Sequence, residues 1–325
     1  MTDAFANLDG FMRERGIALS SDGAARILSA MSSSRLIISD IKGDCADSVY
    51  INLAKYLGSP IYIENVENGY LTGGNLLYCE YEDGEVTETN VIQAIEHGIE
   101  HKDTVHIVVL KNLYSKDAWG LFIPYLRYFS NPQRECSITA KDMGAGKTLP
   151  ENLWFIIELA DGECIGDISA PLLKSATVMK LGCSVCDEAE EKTEYRSVGY
   201  YQLSHFVDYN KGRFTMNEDL WKKIDSLEAY VNAHTPYHIG NKLWLQIEKY
   251  LSVMACHEDS VDINLDIALS SNLIPEVVSA LKGKVSAEEK NLLETVEQLF
   301  GEDKIPECRK AIKDDPVVVA GQKEE

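Results

Sequence analysis

Arg35–Gly58, RLIISDIKGDCADSVYINLAKYLG, reads as a short apolar strand, a tight loop and an amphipathic helix. That is the layout in which loop amides and one lysine hold a polyphosphate at a helix N-terminus, as in the pattern G-x-x-x-x-G-K-[ST]. Lys42 and Gly43 open the loop, but Ala46 stands where the lysine belongs, and Asp40, Asp44 and Asp47 surround the spot. Lys42 is the loop's one basic residue, able to soften this charge without replacing the missing cradle. The geometry fits a phosphate and the charges oppose it.

Upstream, Phe5, Leu8, Phe11 and Met12 recur at helical spacing, as do Ala24, Ile27, Leu28 and Met31. Downstream, IYIEN (61–65) is a further apolar segment, and 89–101 has helical periodicity. HIVVL (106–110) and NLWFIIELA (152–160) are short, β-branched or aromatic runs of the kind found in parallel strands buried on both faces. AWGLFIPYLRYF between them reads as helix, with Pro124 as an irregularity. Strands alternating with helices predict a three-layer α/β parallel sheet. From about Met216 the character turns helical: LWKKIDSLEAYVNAH, NKLWLQIEKYLSVMA, VVSALKG and SAEEKNLLETVEQLF all carry i, i+3/i+4 apolar spacing. Ser286 and Glu289 match a capping box, and DDPVVVAGQKEE reads as a loose tail.

The chain of 325 residues carries a formal net charge of −21, which repels nucleic acid and anionic membranes. No run of Lys and Arg interleaved with aromatics offsets that field, so neither is expected as a partner. The N-terminal residues lack a basic segment followed by an apolar run, and no stretch is long enough to span a bilayer. A cytoplasmic location is the expectation. The eight cysteines have no repeating spacing, so they are expected to be free thiols.

Four segments in order resemble an AAA+ ATPase module, in the branch that contains MoxR-like proteins and the nucleotide-driven subunit of methylcytosine restriction systems. LPENLWFI (149–156) resembles the strand leading to the sensor-1 position, and SSRLIIS the lead-in to the phosphate loop. HIVVL with Phe122 and Leu126 resembles the strand and helix around the metal-binding acids, and HIGNKLWLQIEKYLSV (238–253) the lid helix. The resemblance spans roughly residues 15–300. It implies a P-loop NTPase-like three-layer parallel sheet followed by a small all-helical lid. The expected division is an N-terminal helical segment (1–17), an α/β core (18–210), a helical lid (211–312) and a tail (313–325).

The chemistry of that family is missing position by position. Hydrolysis needs the loop lysine, an Asp-Glu pair for Mg²⁺ and water, a polar sensor and an arginine. Here Lys111-Asn112 replaces Asp-Glu, Glu158 stands where a neutral hydroxyl is usual, Ala160 where an asparagine is usual, and Ser175 where the arginine is expected. Lys242 alone keeps a cation, at the sensor-2 position. The vestigial nucleotide site is thus Lys42, Gly43, Asp47, Ser48, Lys111, Asn112, Glu158 and Lys242. The resemblance implies a non-hydrolysing pseudo-ATPase, without cofactor, that serves as scaffold or regulator for a related intact AAA+ ATPase or as a self-oligomer. The alternative is a working NTPase that binds Mg·ATP or Mg·GTP with Lys42 and Lys111 as substitute cations.

Other motifs compete with this reading. His97, Glu100 and His101 match H-x-x-E-H, the inverted zinc-protease motif of a zinc-dependent hydrolase, but a third ligand is not evident and Gly98 weakens the helix. Cys183 and Cys186 form a lone C-x-x-C without the second pair a structural zinc needs. MGAGKT (143–148) spells half a phosphate loop but precedes a strand rather than a helix. Trp119, Trp154, Trp221 and Trp244 fall within apolar periodicities and are expected in the core.

Overall fold

The computed structural model describes residues 2–42, 45–66, 76–80, 86–126, 129, 137–138, 147–187, 198–210, 214, 217–234, 238–257, 260–281 and 286–313. Helices α1 (Thr2–Arg13) and α2 (Gly23–Ser33) flank strand β1 (Ile17–Leu19). The opening stretch then gives β2 (Leu36–Lys42) and α3 (Ala46–Tyr56). Next come β3 (Ile61–Asn65), the pair β4 (Tyr78–Glu80) and β5 (Val86–Glu88), α4 (Asn90–Glu100), β6 (His106–Leu113) and α5 (Ser115–Phe122). The α5 helix passes into a 3₁₀ turn at Ile123–Tyr125, where Pro124 cannot continue the α-helical ladder. The pair β7 (Ser137–Ile138) and β8 (Lys147–Thr148) precedes β9 (Leu153–Leu159), the short α6 (Ala170–Leu173) and β10 (Thr177–Val185).

The remainder is helical: α7 (Tyr200–Asn210), α8 (Glu218–His234), α9 (Asn241–Met254), α10 (Val261–Asn272), α11 (Ile274–Leu281), α12 (Ser286–Phe300) and α13 (Pro306–Lys313). Ser286 does begin a helix, though its side chain and that of Glu289 lie outside the described residues, as does the tail from 314.

The main sheet has the order β1-β10-β2-β9-β6-β3, parallel throughout except for β1, which runs antiparallel to β10. Its inner strands β2, β9 and β6 are buried on both faces over most of their length. Ile37, Trp154, Ile156 and Met179 enter one apolar cluster with α1, α2, α3 and much of the helical region. Leu36, Ile38, Phe155, Ile157 and Val178 enter the other, with α4, α5 and α6. The expected architecture is therefore what the chain adopts: a three-layer α/β fold on a mostly parallel sheet, followed by helices.

Two expectations need correction. Trp154 and Trp244 are buried and Trp119 packs against the core, but Trp221 is 41% exposed. The buried stripe of α8 is Leu220, Ile224, Leu227 and Val231, and Trp221 falls one position off it. The cysteines are not all thiols: Cys45 and Cys183 form a disulfide. The turn that starts α3 lies beside β10, and this juxtaposition of residues 138 apart leaves no trace in spacing. Cys164, Cys186, Cys256 and Cys308 are not disulfide-bonded.

Candidate functional site

Strand order creates a crevice. From β2 the chain crosses through α3 to the far strand β3, and then returns strand by strand through β6 and β9 to β10 on the other side of β2. The α3 connection covers one face and the later connections cover the opposite face. Between β2 and β9 the connections thus diverge, and in open α/β sheets the carboxyl ends of such strands border the ligand site. A cavity of about 900 Å³ opens there. Its walls are Ser39–Ile41, Glu158–Gly166, Lys180–Gly182, Ser20–Asp22 and Arg26, with Pro275 and Val278 of α11 and Glu307, Lys310 and Ala311 of α13.

On the α3 side of this edge stands a charge network. Lys111 Nζ lies 2.7 Å from Asp47 Oδ1 and 3.8 Å from Glu158 Oε1. The Asp47 hydrogen bond is the main reason the Lys111 ammonium is held above its ordinary lysine value, with the charge of Glu158 adding to it. Glu158 and Ser39 are register partners, and Tyr50 of α3 donates to Ser39 Oγ at 2.6 Å. Burial raises the Tyr50 phenol far above its usual range, so it stays a donor.

An acid on the helix and a lysine on the strand satisfy one another. Lys111 and Glu158 are largely shielded, with side chains 22% and 24% exposed, whereas Asp47 is 57% exposed.

Asn112, beside Lys111, has φ of 57°, the one positive φ of a non-glycine residue among those described. It sits in the irregularity between Leu110 and Leu113, and its side-chain amide donates to Asn65 Oδ1 on β3. Asparagine tolerates this left-handed conformation better than most residues. The bulge interrupts the regular pairing at the strand end, where Asn112 is exposed.

The structure thus brings Asp47, Lys111 and Glu158 together, with Asn112 adjacent. Ser48 is exposed, and its carbonyl accepts from Asn52. Lys42 ends β2 and Lys242 lies in the first turn of α9, but both side chains, like Gly43 and Asp44, fall outside the described residues. Ala160 borders the cavity, and Ser175 is buried with its carbonyl accepting from Ser34. Sequence reading missed Arg26, Lys180, Glu307 and Lys310. Lys180 had a signal: it is the single charge inside the apolar strand TVMKL.

The H-x-x-E-H residues diverge. His97 Nδ1 is 2.7 Å from the Tyr62 hydroxyl, Glu100 is exposed, and His101 is exposed where α4 ends. No group of three side chains able to hold a metal occurs among the described residues. The half phosphate loop at 143–148 falls mostly outside them, and its Lys147-Thr148 lies in β8.

His106, fully buried on β6 and 3.4 Å from the same Tyr62 hydroxyl, has its pKa lowered by burial first, then by His97 and His101. The unfolded chain therefore takes up this proton more readily than the folded one. Stability from His106 is intact above its ordinary value near 6.5 and is expected to fall as pH drops below it. Melting curves from pH 7 to pH 5 should show that fall, and His106→Gln should flatten it; an unchanged slope in the variant would refute the assignment.

No helix among the described residues is long and apolar enough to cross a membrane. No protein-family model matches the sequence, and no curated protein does. Among solved structures, a similar chain is a Cytophaga hutchinsonii ATCC 33406 protein described as a "putative ATPase". It shares 10% identity over 84% of this chain and 88% of that one, with a TM-score of 0.46.

Proposed function

We propose that the chain is a non-hydrolysing AAA+-like protein, a pseudo-ATPase that keeps an ATPase-type fold as a scaffold or regulatory subunit. The ion pair of Lys111 with Asp47 carries this reading. Phosphate transfer needs a cation facing the β/γ-phosphates and carboxylates facing Mg²⁺. The available lysine is spent on a protein carboxylate, and the helix acid would repel a triphosphate at close range. The lost loop lysine and lost Asp-Glu pair point the same way.

AAA+ modules assemble so that the core of one subunit faces the lid of the next, and a subunit without chemistry can still cap or regulate an active neighbour. The partner class that fits is a related intact AAA+ ATPase, with self-association as the second candidate.

Calorimetric titration with Mg·ATP and Mg·GTP tests the chemistry: no saturable heat is expected up to about 1 mM, a Kd corresponding to ~4 kcal/mol. Saturable binding with phosphate release would instead establish a working NTPase built on Lys42 and Lys111. Co-purification with an intact AAA+ protein is the expected result for the scaffold role. A strictly monomeric protein with no such partner would count against it.

A further inference from the structure

The cavity at the β2/β9 crevice has features that the charge network on α3 does not use. Alternation along the strands puts Ser39 on the α3 side and Asp40 and Lys180 on the opposite side, where they are register partners on β2 and β10. Lys180 is partly buried and lines the cavity, yet its ammonium has no hydrogen-bonded or ion-paired partner among the described residues. Lys310, exposed at the rim on α13, also has none.

Most of the acids around them are engaged. Arg26 takes Asp22 at 2.6 Å and Glu307 at 3.4 Å. Glu163 accepts from the Ser115 backbone at 2.8 Å and from its hydroxyl. Glu158 belongs to the Lys111 network, and Asp40 also has a partner of its own. Facing the space without a hydrogen-bonded partner among the described residues are therefore two ammonium groups, the exposed carboxylate of Asp161 and the second carboxylate oxygen of Glu158, whose first lies 3.8 Å from Lys111.

A partly desolvated ammonium that is not hydrogen-bonded is costly, and the nearby charges of Asp40 and Glu307 offset this only in part. Burial lowers the Lys180 pKa, Arg26 adds to that effect, and Asp40 with Glu307 and Cys308 of α13 opposes it. The cavity volume of about 900 Å³ lies at the upper end of small-molecule sites.

We propose that this cavity binds a small organic anion, carrying carboxylate or phosphate-monoester groups, with Lys180 as its central counter-charge and Lys310 as a second contact at the mouth. Asp161 then selects for a ligand that also presents a hydroxyl or other donor. The ligand is not a triphosphate, a point that rests on the reading of the nucleotide site above.

The test is calorimetry on the full chain with citrate as carboxylate probe and glycerol 2-phosphate as phosphate probe, with spermidine and Mg·ATP as comparison ligands. Saturable heat is expected with at least one of the two anions at a Kd below about 1 mM. Lys180→Met, which keeps the apolar stem and removes the charge, should weaken it at least about tenfold. Lys310→Ala should weaken it a few-fold. An unchanged urea midpoint shows that the variants remain folded. Wild-type affinity should also decline between pH 7 and pH 10, as Lys180 loses its proton below the ordinary lysine value of 10.5, a readout that needs no variant.

No heat with either anion up to about 10 mM, equal affinity in Lys180→Met, or binding of spermidine alone would each overturn the site. Heat with Mg·ATP would instead overturn the scaffold reading and leave the Lys180 comparison to decide the anion site.

Discussion

Trp154→Ala is expected to lower the free energy of unfolding by roughly 3–5 kcal/mol, the largest effect of any single core truncation argued for this chain. Trp154 has no exposed surface and lies on β9, between β2 and β6 in the middle of the sheet. Its indole N–H donates to the Met31 carbonyl of α2 at 2.9 Å. The Arg35 guanidinium covers the ring at 3.7 Å, and Tyr200 of α7 meets it edge-on at 6.1 Å. Truncation removes the contacts with α2, Arg35 and α7 at once and leaves a void that a closely packed sheet cannot collapse. Trp154→Phe restores most of the volume but not the hydrogen bond, so about 1–2 kcal/mol is expected there. Urea unfolding checks both, with the slope unchanged if the variants affect only the native state. A loss under about 1 kcal/mol in the alanine variant would show that α2 and α7 are not pinned to the sheet through this residue.

Breaking the Cys45–Cys183 bond should have the second large effect. Its ends are 138 residues apart in sequence, and closing a loop of that size removes roughly 5 kcal/mol of unfolded-chain entropy as an upper bound. A loss of about 2–4 kcal/mol is the expected range for Cys45→Ser/Cys183→Ser. Dithiothreitol should lower the melting temperature of the wild type and leave the double variant unaffected. Alkylation followed by mass spectrometry should label Cys45 and Cys183 only after reduction. Full labelling of both in unreduced protein would show that they stay as thiols.

The parts of the fold legible in the sequence were those with a periodic or continuous apolar signal. IYIEN gives β3 over Ile61–Asn65, HIVVL lies within β6, and α9 follows NKLWLQIEKYLSVM. The helix α10 went unseen for a physical reason: Asn264–Asn272 are all buried, so its sequence, VDINLDIALSSN, has polar residues inside and no apolar stripe to detect. Two of its polar side chains find distant partners inside: Asp266 accepts from the Glu307 and Cys308 amides, and Asn272 Oδ1 from Thr177 and Gln246. Such pairings join residues far apart in sequence and leave no local mark. The strand β10 was hidden likewise, its apolar run being interrupted by Lys180 and followed by Gly182 and the exposed Ser184 and Val185.

At the candidate site, the sequence offered residues but not their relations. It placed Lys111 and Asp47 at nucleotide-facing positions; only the coordinates show that they neutralise one another. The mutual approach depends on β6 lying beyond β9 from β2, a matter of strand order rather than of any motif.

The cavity walls come from both ends of the sequence, Ser20–Arg26 near the start and Glu307–Ala311 near the end of the described chain. The α13 segment is held by Asp266, which accepts the first free amides of that helix. During synthesis the sheet can assemble while the last helices are still inside the ribosome, since its strands end at Val185. The crevice, by contrast, stays open on one side until α13 has emerged and docked. Completion of the site therefore waits on α13, and a message truncated before Pro306 would yield a protein with its sheet formed and its pocket unwalled.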